Sequence, residues 1–271
     1  MLKKSILFLL LTVVSVVKAQ ENNWKLEKEF EAENNVAWSV DELNNLYISS
    51  NNILSKSDSL GNLKFKQSIK SFGNLSAIEI INSMKIVAFS EEQQTVCFLD
   101  NTLTQSDNCI ELSDFQISYA RLISRSSQQE KLWVLDQQNS TAILLNLSRT
   151  NSQFQEIRIF LSMLNLKEIL FMKEEKNQLF VADKSGKICM FDMYGSLKNC
   201  FEFPVFNALT IKGDFVIGCE NDQIEFFNTK NLELKKLFFP IKGVKECKLS
   251  GNYFYFRTEN KIYKYTLNLH N

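Results

Sequence analysis

The sequence predicts an all-β protein, a six-bladed β-propeller of four-stranded antiparallel blades closed into a ring, and three observations carry that prediction. First, a strand–turn–strand unit recurs six times. Its copies end at Asp58, Asp100, Asn146, Asp192, Asn228 and Thr266, at intervals of 42, 46, 46, 36 and 38 residues. That period fits one four-stranded blade. Second, the inner segments of each copy are near-continuous apolar runs, as strands covered on both faces require, whereas the fourth segment alternates Lys or Glu with apolar residues, as at a wet rim. Third, the last copy stops short of a fourth strand, and a spare strand-like segment precedes the first copy.

In chain order, residues 1–19 read as a signal peptide. Lys3 and Lys4 form its basic start, Ser5 to Val17 its apolar middle, and Val17 and Ala19 suit cleavage before Gln20. The apolar run is shorter than the roughly 20 residues that a membrane-spanning helix needs. Residues 20–271 are then expected to form one exported propeller domain, periplasmic or extracellular. The spare segment, WKLEKEFEA from Trp24 to Ala32, resembles the fourth strands elsewhere and is expected to complete the sixth blade. Closing the ring in this way removes two exposed sheet edges at once.

Within the copies, first strands are expected at 36–40, 77–81, 168–171 and 208–211. A polar turn follows each, then a second strand such as Leu179–Ala182 and a third such as Lys187–Asp192. Fourth strands are expected at Leu63–Ile69 and Leu234–Phe239. Asp58-Ser59-Leu60-Gly61 and Asp192-Met193-Tyr194-Gly195 carry a hairpin signal, because Asp can bond its own backbone and Gly accepts a positive φ. Trp24, Trp38 and Trp133 fall on strands and are expected to pack between blades.

This period, strand grammar and pair of Asp-x-x-Gly hairpins resemble the six-bladed β-propellers of the NHL-like kind and the broad secreted bacterial six-bladed group. The likeness covers about residues 23 to 269. The Gly-His and Trp-Asp dipeptides of WD40 repeats, the Gly-Gly pairs of kelch repeats and the Asp box of sialidases are missing from the sequence. Members of the resembled group range from scaffolds to hydrolases, so the resemblance implies an architecture and no particular activity.

Six cysteines behind a signal peptide point to disulfides. Cys97 and Cys109 sit on the third and fourth strands of the second copy, and Cys189 and Cys200 hold nearly the same places in the fourth. Facing residues of adjacent antiparallel strands lie within bridging range. Each pair is therefore expected to be bonded. Cys219 and Cys247 remain, and two readings stand: a bridge between neighbouring blades, or two buried free thiols.

Basic and acidic residues balance at 31 each. No whole-chain field attracts nucleic acid, and no nucleic-acid partner is expected. The single histidine, His270, stands beside the C-terminus, which argues against Ser-His-Asp, Cys-His and His-ligated metal chemistry. No phosphate-binding glycine loop or nucleophile elbow occurs in the sequence, and neither cofactor nor metal is expected. Asp41, Glu79 and Glu168, at or near first strands, are the candidates for carboxylate chemistry at the propeller axis.

The expected function is a binding or interaction module, a monomer, which recognises a protein or small-molecule partner through one loop-bearing face. Phe72, Phe115 and Phe206 in the inter-blade loops are candidates for an apolar floor, or else they wedge between blades. Arg121 and Asp41 complete the candidate binding set, and Arg125 lies nearby. Two alternatives are a carboxylate- or metal-dependent hydrolase or lyase with an axial pocket, and a structural component of an envelope assembly. Three or more acidic side chains converging on the axis would favour the enzyme.

Overall fold

The computed structural model describes residues 24–33, 37–107, 109–147, 157–166, 168–204, 208–220 and 223–268. The signal-peptide region, Phe206 and His270 lie outside them. Strand β1 (Trp24–Glu31) comes first. Blade 1 follows as β2 (Ala37–Val40), β3 (Leu46–Ser50), β4 (Ile53–Ser57) and β5 (Leu63–Ser68). Blade 2 is β6 (Ala77–Asn82), β7 (Lys85–Ser90), β8 (Thr95–Leu99) and the short β9 (Ile110–Glu111). Blade 3 is β10 (Ala120–Arg125), β11 (Lys131–Asp136), β12 (Thr141–Asn146) and β13 (Ile157–Phe160). Blade 4 is β14 (Ile169–Glu175), β15 (Gln178–Asp183), β16 (Lys187–Asp192) and β17 (Leu197–Glu202). Blade 5 is β18 (Ala208–Lys212), β19 (Phe215–Glu220), β20 (Gln223–Asn228) and β21 (Leu234–Phe238). Blade 6 contributes β22 (Glu246–Ser250), β23 (Tyr253–Arg257) and β24 (Lys261–Leu267), and β1 pairs with β24 as its fourth strand. The ring is closed as the spare segment requires.

All six sheets are antiparallel in simple order, and the first strands of successive blades touch one another around the axis. The core is divided accordingly. Each apolar cluster lies between two successive blades, for example Phe89, Val96, Leu132 and Val134 between blades 2 and 3, or Trp133, Leu144, Leu179 and Phe191 between blades 3 and 4. This is why second and third strands are apolar on both faces: each face meets a neighbouring sheet. No helix among the described residues is long and apolar enough to cross a membrane.

The hairpin signals are turns as expected. Gly61 and Gly195 have φ of 88° and 86°. The positive φ is what calls for glycine at both turns; a Cβ at Gly195 would in addition crowd Ile159 Cγ1 at 3.0 Å, whereas at Gly61 it would meet only the movable end of Lys28. The Asp58 carboxylate accepts the Leu60 and Asn62 amides at 3.0 and 2.8 Å. The Asn62 side-chain amide, donating to Oδ2 at 3.0 Å, and these backbone amides hold its pKa far below the usual range.

Cys97–Cys109 and Cys189–Cys200 are disulfides, with Cα separations of 4.2 and 4.1 Å. Cys189 and Cys200 are direct register partners. Two bridges fit an oxidising compartment. Cys219 and Cys247 are the exception to the bridged set: both are buried free thiols, in the core between blades 5 and 6. Burial, and the thiol of Cys219 against it, push the Cys247 pKa well up, so both behave as small apolar residues with a weak mutual hydrogen bond.

Candidate functional site

Because strands alternate in direction, each disk face carries a fixed set of connections. Inter-blade connections and second-to-third-strand loops share one face, called here the connector face. First-to-second and third-to-fourth turns share the other, the turn face. A cavity of about 580 Å³ runs along the axis between them, and first strands from all six blades line it.

One polar side chain per blade stands at an equivalent register in this lining. Ser39, Glu79, Ser124, Lys173, Thr210 and Lys248 pair with Tyr47, Val87, Trp133, Phe180, Ile217 and Tyr255 of the respective second strands. All six line the cavity. First strands are sheet edges, with backbone groups that no strand satisfies, and the ring supplies partners for them. Glu79 Oε2 accepts the Arg125 amide of the next blade at 3.3 Å. Ser124 Oγ accepts the Glu174 amide at 3.2 Å. Lys173 Nζ donates to Ile211 O at 2.7 Å and to Thr210 Oγ1 at 3.3 Å, and Lys248 Nζ donates to Trp38 O at 2.6 Å. The ring thus laces four of the six blade junctions, from blade 2 through blade 5 and from blade 6 to blade 1. Burial in the channel pushes the Lys173 pKa down to about 8, against the opposing pull of Glu175 and Glu79.

A second device fixes the same strands. The indole of Trp133 donates to Glu174 Oε2 at 2.6 Å, and the indole of Trp38 donates to Glu246 Oε2 at 2.8 Å, each across a blade junction. Glu174 also accepts from the Ser126 hydroxyl at 2.7 Å, the Ser127 amide at 2.9 Å and the Ser127 hydroxyl. It is a buried carboxylate with its acceptor sites filled. The tryptophans are thus blade-packing residues with a polar clasp.

The three candidate carboxylates do not converge. Asp41 follows β2 at the turn face, is 8% exposed, and accepts the Leu43 and Asn45 amides, the Asn45 side chain and the Tyr47 hydroxyl at 2.7–3.0 Å. It is a turn-forming carboxylate. Glu79 belongs to the mid-channel ring. Glu168 stands at the connector face in an ion trio, 3.2 Å from Arg121 and 3.3 Å from Lys184, and these partners lower its pKa. No group of three His, Cys, Asp or Glu that could hold a metal occurs among the described residues.

The candidate binding set is likewise divided. Phe72 and Phe115 lie in single 3-10 turns of the inter-blade connections, and both are buried, in the cores between blades 1 and 2 and blades 2 and 3. They wedge between blades, with 6% and 8% of their surface exposed. Phe206 lies outside the described residues. Arg121 is at the connector-face mouth, whereas Asp41 is at the opposite end. Arg125 reaches Glu42 at 3.5 Å on the turn face.

The structure places other residues around Arg121. Both β10 and β14 carry a β-bulge at the same point: the register skips Arg121 between Ala120 and Leu122, and skips Leu170 between Ile169 and Phe171. A bulge re-aims the extra side chain. Leu170 is 46% exposed, and half-buried Leu122, Phe171 and Leu209 line the cavity with it, beside Lys184, Phe203 and Pro204. Sequence reasoning missed Leu170, as it missed Lys173 and Glu174, which it assigned to a polar turn. An apolar rim backed by an Arg–Glu–Lys trio results.

No family profile matches the chain, and no curated protein does. Solved structures match its fold. The WD40 domain of Neurospora crassa Pan2 superposes with a TM-score of 0.65 at 10% identity, over 92% of this chain and 96% of that one. Virginiamycin B lyase from Staphylococcus aureus gives 0.65 at 14%, over 90% and 99%. An inactive histidine-to-alanine form of that lyase, solved with quinupristin, gives 0.63 at 16%, over 90% and 99%. The chain is thus a six-bladed propeller structurally like this lyase and WD40 propellers. At such identities the likeness shows the fold alone.

Proposed function

We propose that this protein is an exported binding module that holds a ligand or protein partner at the connector-face mouth of its axial channel. The observation that carries this reading is the pair of equivalent bulges in adjacent blades, at Arg121 and Leu170 on the connector-face ends of β10 and β14, with Leu170 lining the cavity. The trio of Arg121, Glu168 and Lys184 supplies directional polar contacts beside an apolar rim, the combination that binding sites use for orientation and affinity. Export rests on the signal-peptide pattern, and the two disulfides accord with it.

The lyase likeness does not carry an activity to this chain. The histidine-to-alanine form of that enzyme is described as inactive, and the described residues here contain no histidine. Four of the six mid-channel polar groups are also committed to the edges of neighbouring blades. A test follows from the geometry. Leu170→Glu and Arg121→Glu are compared with the unaltered protein in affinity capture from extracts of exported proteins, with Lys230→Glu on the turn face as control. A partner retained by the unaltered protein and the control, and lost by both rim variants, supports the reading. A partner that both rim variants still retain refutes it.

A further inference from the structure

The turn face carries a regularity that rim recognition leaves unused. In six of its turns an Asp or Asn side chain accepts the backbone amide two residues on. Asp41 accepts from Leu43 at 2.9 Å, Asp58 from Leu60 at 3.0 Å, Asn82 from Met84 at 2.8 Å and Asp192 from Tyr194 at 2.9 Å. The same arrangement at Asp100 and Asn228 presents Thr102 and Lys230, both polar. The four others present large apolar side chains, with Leu43 70%, Leu60 73%, Met84 62% and Tyr194 75% exposed. Leu232, 62% exposed, stands in the turn after Asn228 on this face. Turn tips facing water ordinarily carry polar residues, and the turn itself requires nothing apolar at this position.

A second observation concerns how the chain reaches this face. Trp24 pairs with Leu267 at the end of β24, so β1 begins at the turn face. Residues 1–23 therefore join the fold there, and their sequence contains the apolar run from Ser5 to Val17 behind Lys3 and Lys4.

We propose that the turn face is a membrane-apposed surface, with Leu43, Leu60, Met84, Tyr194 and Leu232 seated in the interfacial layer of a lipid bilayer. The five tips are spread over blades 1, 2, 4 and 5. A protein interface is built around a contiguous apolar core, whereas a bilayer is a continuous deformable surface that accepts separate apolar tips one by one. The point of chain entry favours the same occupant, because the leader, until it is cleaved, brings this face to the membrane during export. Basic residues of the turns are largely neutralised: Lys176 and Lys230 lie 3.3 and 3.0 Å from Asp214. Binding accordingly depends on apolar insertion and only weakly on anionic lipid.

The test is flotation with phosphatidylcholine vesicles, with and without phosphatidylserine, for the full chain and for the chain starting at Gln20. The described ring begins at Trp24, so both lengths contain it. The chain starting at Gln20 is expected to float, and Leu43→Ser, Leu60→Ser, Met84→Ser and Tyr194→Ser combined are expected to lower its partition coefficient at least tenfold. Met163→Ser, which alters an 85%-exposed residue on the connector face, is expected to leave it unchanged. Tyr194→Trp supplies a second readout, a blue shift of tryptophan emission on adding vesicles. Absence of flotation by the Gln20 chain would overturn the proposal. So would flotation of the full chain alone, indifferent to the four serines, since the leader would then be the sole anchor.

Discussion

Truncating Trp24 tests the closure of the ring most directly. Strand β1 is exposed along most of its length, and Trp24 is its buried anchor at 5% exposure. Its ring packs edge-on against Phe239, Phe254, Phe256 and Tyr265, at centroid distances of 5.1–6.3 Å. Its indole N–H donates to Phe238 O at 3.1 Å, tying the closing strand of blade 6 to the outer strand of blade 5. Removing a buried aromatic costs about 3–5 kcal/mol, and the lost hydrogen bond adds about 1 kcal/mol. At the low end of these ranges, Trp24→Ala is expected to destabilise the fold by about 4 kcal/mol. With a urea m-value of about 3 kcal/mol/M, the midpoint falls by roughly 1.3 M. The thermal midpoint falls by about 8–16 °C for a chain of this size. Leu26→Ala on the same strand removes a 43%-exposed side chain and should cost less than about 0.5 kcal/mol. A Trp24→Ala loss below about 1 kcal/mol, with unchanged m, would show that β1 is not what closes the ring.

Three further outcomes follow. Alkylation of the denatured protein without reductant should modify two cysteines, Cys219 and Cys247, and after reduction all six; any other count before reduction contradicts the observed pairing. Lys173 has a folded pKa of about 8 against 10.5 for the ordinary ammonium. The unfolded chain thus binds more protons between these values, and stability gains on raising pH through that window, by up to about 3 kcal/mol from this group. Lys173→Met should flatten the dependence between pH 8 and 10.5, and an unchanged urea-midpoint profile would refute the assignment. Glu174→Gln sets an amide donor among four donors and should cost about 2–4 kcal/mol by urea unfolding, whereas Glu175→Gln, whose carboxylate takes only the Gly213 amide at 2.8 Å among the bonds seen, should cost less than half of that.

The blades were legible because their chemistry is local. Lys187–Asp192 is a strand with the bounds its apolar run and flanking polar residues give, and the Asp-x-x-Gly turns and both disulfides follow from position within a repeat. The site was less legible because it depends on register between strands far apart in sequence. Met172-Lys-Glu-Glu-Lys-Asn177 reads as a polar turn, yet β14 continues to Glu175, because Lys173 and Glu174 find partners on the neighbouring blades. The bulges at Arg121 and Leu170 left no local mark, since a bulge is defined by what the partner strand skips. Phe72 and Phe115 sit at comparable loop positions, as expected, but comparability in a propeller means equivalent packing between blades before it means a shared surface.

The same logic bears on where chemistry is to be sought. A ring with Glu79, Lys173 and Lys248 on the axis looks like a charge cluster poised for a reaction. In this fold it answers a prior structural demand, since six first strands expose unpaired amides and carbonyls toward a narrow channel, and burying those groups unpaired costs about 1–3 kcal/mol each. Four of the six ring residues meet that demand across a blade junction, at 2.6–3.3 Å. Any of these four recruited for catalysis would have to release an edge of the next blade. The rims carry no such obligation: Leu170 at one mouth, and the four apolar tips at the other face, can change without unlacing the ring. Selection for recognition therefore acts most freely where the repeats differ, and selection for stability where they agree.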